Sequence, residues 1–359
     1  MIRPFGLRDL ATIKQLEPLG LAFDLRRTLL DATVPSQAAL WGYLTRSHLG
    51  ALTCIHEDKQ DRSQLKGFAQ VWPGGDRCTW ELAYLAPSLD YHQRVPEIWQ
   101  RLLSHLLILG AQQGKRHIYA RLAEDAEAET ILRQAGFNVI SREEVFVLSQ
   151  EVSPAPQPKG LRPVTGDDLG PLQEFYGQVM PPVVQATQGF PAHWLASTQR
   201  HLWRAGAVNE FIWSEKGKVV AYLGLSGSAR GAWLEVFVRP EYRGDVLPHI
   251  RYVLALSGCS ATRPVYCPIP DHTVGLGWLL RTLGFSSYVR QVVLVAHNYG
   301  RVPVRQKMVV AGLERTVDVG RSVGHAYHVG MYQRVTGSVR PGHILYAHHK
   351  EGYVSGNYG

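Results

Sequence analysis

Apolar residues recur along this chain at two spacings, one set by strands and one by helices. The densest stretch is Trp233–Ile250. Trp233, Leu234, Val236, Phe237 and Val238 are strand formers, Pro240 ends the run, and a helical apolar pattern (Val246, Ile250, Val253, Leu254) follows. That predicts a strand, a Pro-bounded turn and a helix start. The same reading predicts two series of elements. In each, an opening strand (1–4; 160–164) leads to a helix from Asp9 or Asp168, residues suited to an N-cap or first turn. A helical region follows, with Trp41 in the first series and Trp194 and Trp203 in the second. Two strands come next (about 49–56 and 65–72; 209–215 and 218–226), the second pair joined by a hairpin turn at Glu215-Lys-Gly217. The motif strand (79–85; 232–238) precedes a long helix (95–113; 246–257). A strand (116–121; 263–267), a short helix (126–135; 274–283) and a last strand (143–149; 289–296) close each unit.

The two series match in residues as well as in rhythm. Ile2-Arg3-Pro4 with Asp9-Leu10 returns as Leu161-Arg162-Pro163 with Asp168-Leu169. Trp80 and Pro87 recur at the separation of Trp233 and Pro240, and Val95-Pro96-Glu97-Ile98 echoes Leu247-Pro248-His249-Ile250. Leu132-Arg-Gln-Ala-Gly-Phe137 repeats as Leu280-Arg-Thr-Leu-Gly-Phe285. Matches in one order through both halves imply an internal duplication. Residues 151–160 between them carry prolines at alternate positions, which favour an extended, semi-rigid linker. The units are therefore 1–150 and 161–300, followed by an extension at 301–359.

Composition narrows the class. A 359-residue chain with 45% hydrophobic and 19% charged residues has ample material for cores. No uninterrupted apolar run of about 18 residues is present, so no membrane span is expected. The N-terminus has no signal-peptide pattern. Cys54, Cys78, Cys259 and Cys267 form no CxxC pair and read as reduced thiols of a cytoplasmic protein. The net charge of +8 divides as 0, +3 and +5 over 1–150, 151–300 and 301–359. The body is thus not patterned as a nucleic-acid binder. The extension, rich in Gly, His, Tyr and Arg, reads as a docked or disordered arm, with binding of a nucleic acid or another acidic partner as the sharper alternative.

The words Val238-Arg-Pro-Glu-Tyr-Arg-Gly244, the opening Arg-Pro and the closing Leu-Arg-x-x-Gly-Phe resemble the GNAT (Gcn5-related N-acetyltransferase) superfamily. The resemblance implies an α/β fold of two tandem GNAT-like domains, each a mixed sheet flanked by helices. It also implies acetyl-CoA or another acyl-CoA as co-substrate and an amine, small molecule or peptide, as acceptor. By that likeness the strand residues Val236, Phe237 and Val238 would meet the acyl-CoA, and a backbone amide at Val236 or Val238 would polarise the thioester carbonyl if the strand bulges there. Arg243 and Gly244 would contact pyrophosphate, while Asp245 and Val246 would begin the helix beyond. Glu235 would be the base, through water, with Glu81 displaced by one residue in the first copy. The tyrosine acid of the family is replaced by Leu132 and Leu280, leaving Tyr288 or Tyr266 as substitutes. The family's glycine-rich phosphate loop is also altered: Val246 and Pro248 stand where glycines belong, and Pro248 lacks an N–H. The first copy, His92-Gln-Arg-Val-Pro-Glu97, has no glycine there and carries an acid. Two functions follow as expectations. One is an acyl-CoA-dependent N-acyltransferase that uses the second unit, with the first as structural partner. The other is a non-catalytic binding or scaffold protein that has lost CoA use. Asp271-His272 lacks a serine partner, and the remaining histidines lack zinc spacing.

Overall fold

The computed structural model describes residues 1–31, 34–45, 50–57, 65–74, 78–191, 208–298, 304–308 and 317–321. Trp194, Trp203 and most of the C-terminal extension lie outside the described residues. The first series comprises β1 (Ile2–Pro4), α1 (Leu10–Leu16), β2 (Leu21–Ala22), α2 (Leu25–Leu30), α3 (Pro35–Leu44), β3 (Leu52–Glu57), β4 (Lys66–Pro73), β5 (Thr79–Ala86), α4 (Val95–Gln112), β6 (His117–Ala123), α5 (Ala126–Gln134) and β7 (Phe137–Leu148). The second comprises β8 (Leu161–Pro163), α6 (Leu169–Val179), α7 (Pro182–Gln188), β9 (Val208–Glu215), β10 (Lys218–Gly227), β11 (Ala232–Val238), α8 (Leu247–Ala255), β12 (Val265–Pro270), α9 (Leu276–Thr282) and β13 (Ser286–His297). Beyond them β14 (Val304–Met308) and β15 (Val317–Arg321) pair with each other.

Local chemistry explains the repeats. Arg3 grips Asp9 through two hydrogen bonds of 2.6 Å, and Arg162 grips Asp168 at 2.7 and 2.6 Å. The carboxylate also accepts the backbone N–H of Gly6 or Thr165. The repeated Arg-Pro and Asp are thus one device, pinning the first strand to the turn that starts the first helix. The hairpin between β9 and β10 has positive φ at Lys216 (49°) and Gly217 (76°), the geometry that suits strand twist. Helix α4 buries Val95, Ile98, Trp99, Leu102, Leu103 and Leu106, a stripe at three- and four-residue steps.

Strands β1 to β13 form a single mixed sheet. Its order is β1-β3-β4-β5-β6-β13-β7-β12-β11-β10-β9-β8, with β2 added to β5. Here the sequence reading needs correction, because each unit is not closed by its own last strand. β13 of the second series lies between β6 and β7 of the first, and β7 reaches across to β12. Strand-forming sequence gives a strand but not its partner, which tertiary packing chooses. Phe137 and Phe285 are 148 residues apart in the repeat, and so are Glu143 and Gln291. Glu143 and Gln291 face each other directly across the β7–β13 ladder, so the approximate twofold axis of the duplication passes between them.

One face of the sheet carries α4, α5, α8 and α9 over two large cores. The other carries α1, α3 and α6 over smaller ones. On that second face each unit lends an element to the other. Leu30 of α2 packs on Trp233 and Tyr266, and the Tyr119 hydroxyl donates to the Thr187 carbonyl at the end of α7.

Candidate active site

Both units contain a parallel strand pair that separates. β11 and β12 pair only at Ala232–Val265 and Trp233–Tyr266, although they continue to Val238 and Pro270. β5 and β6 pair only from Thr79–His117 to Glu81–Tyr119. A wedge opens beyond each pairing, and the two wedges differ.

In the first unit the wedge is filled by the chain itself. Leu21 and Ala22 pair with Leu85 and Tyr84 on the free edge of β5. Phe23 then bridges both strands, its N–H donating to the Ala83 carbonyl and its carbonyl accepting from the Arg121 N–H, at 2.9 and 3.1 Å. Its ring is buried (1% exposed) and meets Trp99 edge-on. Gly20 permits the approach, since a Cβ there would lie 2.2 Å from the Tyr84 ring. Sequence reasoning missed this segment because two strand residues are too few to show a period. Its one signal is the Gly20-Leu-Ala-Phe23 run between helices.

In the second unit, no described strand occupies the wedge. The β10–β11 ladder runs without a register shift from Ala221–Val238 to Gly227–Ala232, so the bulge entertained for Val236–Val238 is absent. None is needed. Arg239 N–H donates to the Val220 carbonyl in the same register, so by strand alternation the amides of Val236 and Val238 point away from β10 and into the wedge. Their side chains sit in the core against α8. Phe237 turns to the opposite face, beside Tyr222.

Glu235 shares that opposite face. Arg26 of α2 reaches it from the first unit, with Nη1 3.3 Å from Oε1 and Nη2 donating to Ser226 Oγ at 2.6 Å. α2 is held there by Ser228 Oγ donating to the Leu30 carbonyl and by Arg230 donating to that of Asp31. Sequence reading missed Arg26, for no local pattern links it to a strand 209 positions on. Tyr288 lies at a bulge in β13, about half exposed, with its ring 5.3 Å from that of Tyr266. Burial, reinforced by the field of Tyr288, holds the Tyr266 hydroxyl above the usual tyrosine pKa. The structure thus brings Trp233, Tyr266 and Tyr288 to the face that carries Glu235.

The turn after β11 is a 3-10 helix, Pro240–Asp245. Gly244 and Asp245 are exposed, and a side chain at Gly244 would meet nothing. Val246 stands at the N-cap of α8 with its side chain fully buried, so it offers a phosphate only backbone. Arg243 donates from Nη1 to the Val274 carbonyl at 2.7 Å, tying this turn to the loop before α9. His272 is held below the usual histidine pKa by burial, opposed by Asp271 and aided by Arg243. Among the described residues no group of His, Cys, Asp and Glu has metal-binding geometry, and no helix is long and apolar enough to cross a membrane.

Element order and the splayed parallel pair, present twice, define two similar units in tandem within one mixed α/β sheet. No family model matches the chain, and no curated protein matches it in sequence. Solved structures with similar folds include a GCN5-related N-acetyltransferase from Sphaerobacter thermophilus (16% identity, TM-score 0.48, covering 84% of this chain and 97% of that one). A tandem GNAT protein from the clavulanic acid biosynthesis pathway, in a structure without AcCoA, gives 16% identity, TM-score 0.49, and 83% and 98% coverage. A GNAT-family acetyltransferase from Colwellia psychrerythraea gives 16%, 0.40, and 83% and 99%.

Proposed function

We propose that this chain is an acyl-CoA-dependent N-acyltransferase that moves an acetyl group to a primary amine in its second unit, with residues 1–150 as the structural partner. The observation that carries the reading is the difference between the wedges. An extended pantetheine arm needs an unpaired strand edge with N–H groups facing it. The β5 edge is taken by Leu21–Phe23. On β11, the Val236 and Val238 amides face a wedge that no described strand fills. A thioester carbonyl seated against one of them would have its developing negative charge stabilised. Glu235 would take the ammonium proton through water, and Arg26 would hold its carboxylate in place. Tyr288, on the same face, would return a proton to the departing thiolate. Arg243, Gly244 and Asp245 would line the pyrophosphate end, with Val246 contributing backbone alone.

Isothermal titration with acetyl-CoA tests the proposal. One site per chain is expected, weakened by Arg243→Ala. No saturable heat would refute it, and two sites would refute the division of labour. The second reading, a scaffold without CoA use, is favoured by two features of the turn. Arg243 is already engaged by Val274, and the turn lacks the phosphate loop's glycines. The same titration decides between them.

A further inference from the structure

A second acid stands in the cross-strand row that carries Glu235. Gly224 of β10 lies directly opposite Glu235 on β11 and directly opposite Glu210 on β9. Their alternating neighbours Phe211, Leu223 and Val236 fill the core beneath α8, so all three lie on the other face. The Tyr222 side chain leans along β10 over Gly224. A Cβ there would lie 2.9 Å from the Tyr222 hydroxyl and 3.0 Å from its ring, so glycine leaves the phenol its place. The hydroxyl donates to Glu210 Oε1 at 3.1 Å. Because Cβ positions of directly opposed residues are about 4.5–5.5 Å apart, that hydroxyl stands between the two acids. It is bonded to Glu210 and reaches Glu235 through a bridging water.

Glu210 is 4% exposed and Tyr222 1%, and the phenol belongs to the core beneath α6 and α7. Keeping a carboxylate there costs folding free energy that an apolar residue would not. The first unit shows the alternative. The N–H of Phe5 donates to the Thr53 carbonyl where that of Val164 donates to the Glu210 carbonyl, so Thr53 is the counterpart of Glu210. Thr53 pairs with Gln70 and Gln70 with Tyr84, in the places of Gly224 and Glu235. Phe68, two residues before Gln70, takes the place of Tyr222. That row is closed by a bond from Gln70 Nε2 to Thr53 Oγ1 at 3.1 Å and carries no acid. Of the two rows, the one with both acids and a phenol between them belongs to the unit whose wedge no described strand fills. Around it, Arg26 lies 3.3 Å from Glu235, and the field of Glu235 also acts on Arg121 and Cys267.

We propose that Tyr222 and Glu210 form a proton relay behind Glu235. The inference rests on the transferase reading. Once Glu235 has taken the ammonium proton, a proton passes through water to the Tyr222 oxygen while the Tyr222 O–H breaks and its proton moves to Glu210. Glu235 is again a carboxylate, Glu210 is a carboxylic acid, and the phenol is unchanged. The same path run backward returns the proton to water after the product leaves. Both residues act through Glu235 and position its proton; neither meets the substrate.

The test follows the glutamate carboxyl carbons by carbon-13 NMR while the full chain, without acetyl-CoA, is titrated from about pH 4 to about pH 9. The resonances lost in Glu235→Gln and Glu210→Gln assign the two acids. In the wild type each should titrate in two steps that mirror the other, the mark of coupled groups. Tyr222→Phe keeps the ring and removes the oxygen, and should reduce both curves to single steps. Single steps in the wild type would make the Tyr222–Glu210 bond structural, and two steps retained in Tyr222→Phe would make the coupling one of field alone; either overturns the relay. If Tyr222→Phe fails to fold, Glu235→Gln followed at Glu210 decides: the second step should vanish, and its retention overturns the relay. Acetyl-CoA binding with uncoupled acids sinks only the relay; coupled acids without acetyl-CoA binding sink only the transferase reading.

Discussion

Replacing Phe23 by alanine tests the contrast between the wedges. The ring is 1% exposed, belongs to the core of the first unit, and meets Trp99 at 5.9 Å between centroids. Truncating a buried phenylalanine costs about 3–5 kcal/mol, from lost transfer energy and the cavity left behind. The backbone bonds of Phe23 to Ala83 and Arg121 survive the change. Urea unfolding followed by tryptophan fluorescence would measure the loss. A cost below about 1 kcal/mol would refute the packing argument. The variant has a second readout. Vacating side-chain volume does not supply a phosphate loop, since His92–Glu97 still lacks glycine and retains an acid. Acetyl-CoA stoichiometry should therefore stay at one per chain. A second site in Phe23→Ala would show that the plug alone, and not the degenerate turn, keeps the first unit empty.

Arg26→Ala should lower kcat/KM for acetyl transfer at least tenfold, because Glu235 and Ser226 lose their shared guanidinium, with a stability cost of about 1–3 kcal/mol; steady-state kinetics with unchanged rates would remove Arg26 from the site. Asp168→Asn should cost about 1–3 kcal/mol, discounted because Arg162 is half exposed. Arg162, opposed by burial and joined by the bonds from Thr165, holds the Asp168 carboxyl at about 2. Its contribution is complete above the ordinary carboxylate range and is lost as pH falls toward about 2. Melts between pH 2 and 5 should therefore be steeper for the wild type than for the variant. His249, stacked on Trp213 at 4.0 Å, is held below the usual histidine pKa by burial, partly opposed by backbone acceptors and acids. The unfolded chain thus binds the extra proton first, and stability should fall as pH drops below about 6.5. His249→Phe should flatten that slope in melts from pH 5 to 8, and an unchanged slope would exclude His249 as its source.

The repeat was legible because its recurring residues have local tasks. Arg3–Asp9 and Arg162–Asp168 close the same turn, and Leu132 and Leu280 fill the same buried position before a glycine of positive φ. The motif strand at 232–238 and the two-residue turn after Glu215 were likewise set by short-range chemistry. Features that depend on distant partners were not legible. β7 and β13 read as end strands whichever edge they join. Arg121, alternating with Ala120 and Leu122, has the pattern of a strand with one wet face, and only its tertiary neighbours reveal it as half-buried among carboxylates. Arg26 is one of two adjacent arginines on a short helix, and only the docking of α2 distinguishes their roles.

Exchange of the last strands bears directly on how one unit came to differ from the other. β7 pairs along its length with β13, and β12 completes its other side. Each unit therefore depends on the other for hydrogen bonds in the middle of its sheet, where unpaired backbone groups would be costly. Neither copy is structurally dispensable, so selection for folding retains the first whether or not it reacts. That leaves its wedge free to accept Leu21–Phe23. The same exchange places α2 and its Arg26 over the face of β11, where a single-unit protein would have no such group. The asymmetry between a filled wedge and one that no described strand fills is thus a natural outcome of a duplication locked together at its centre.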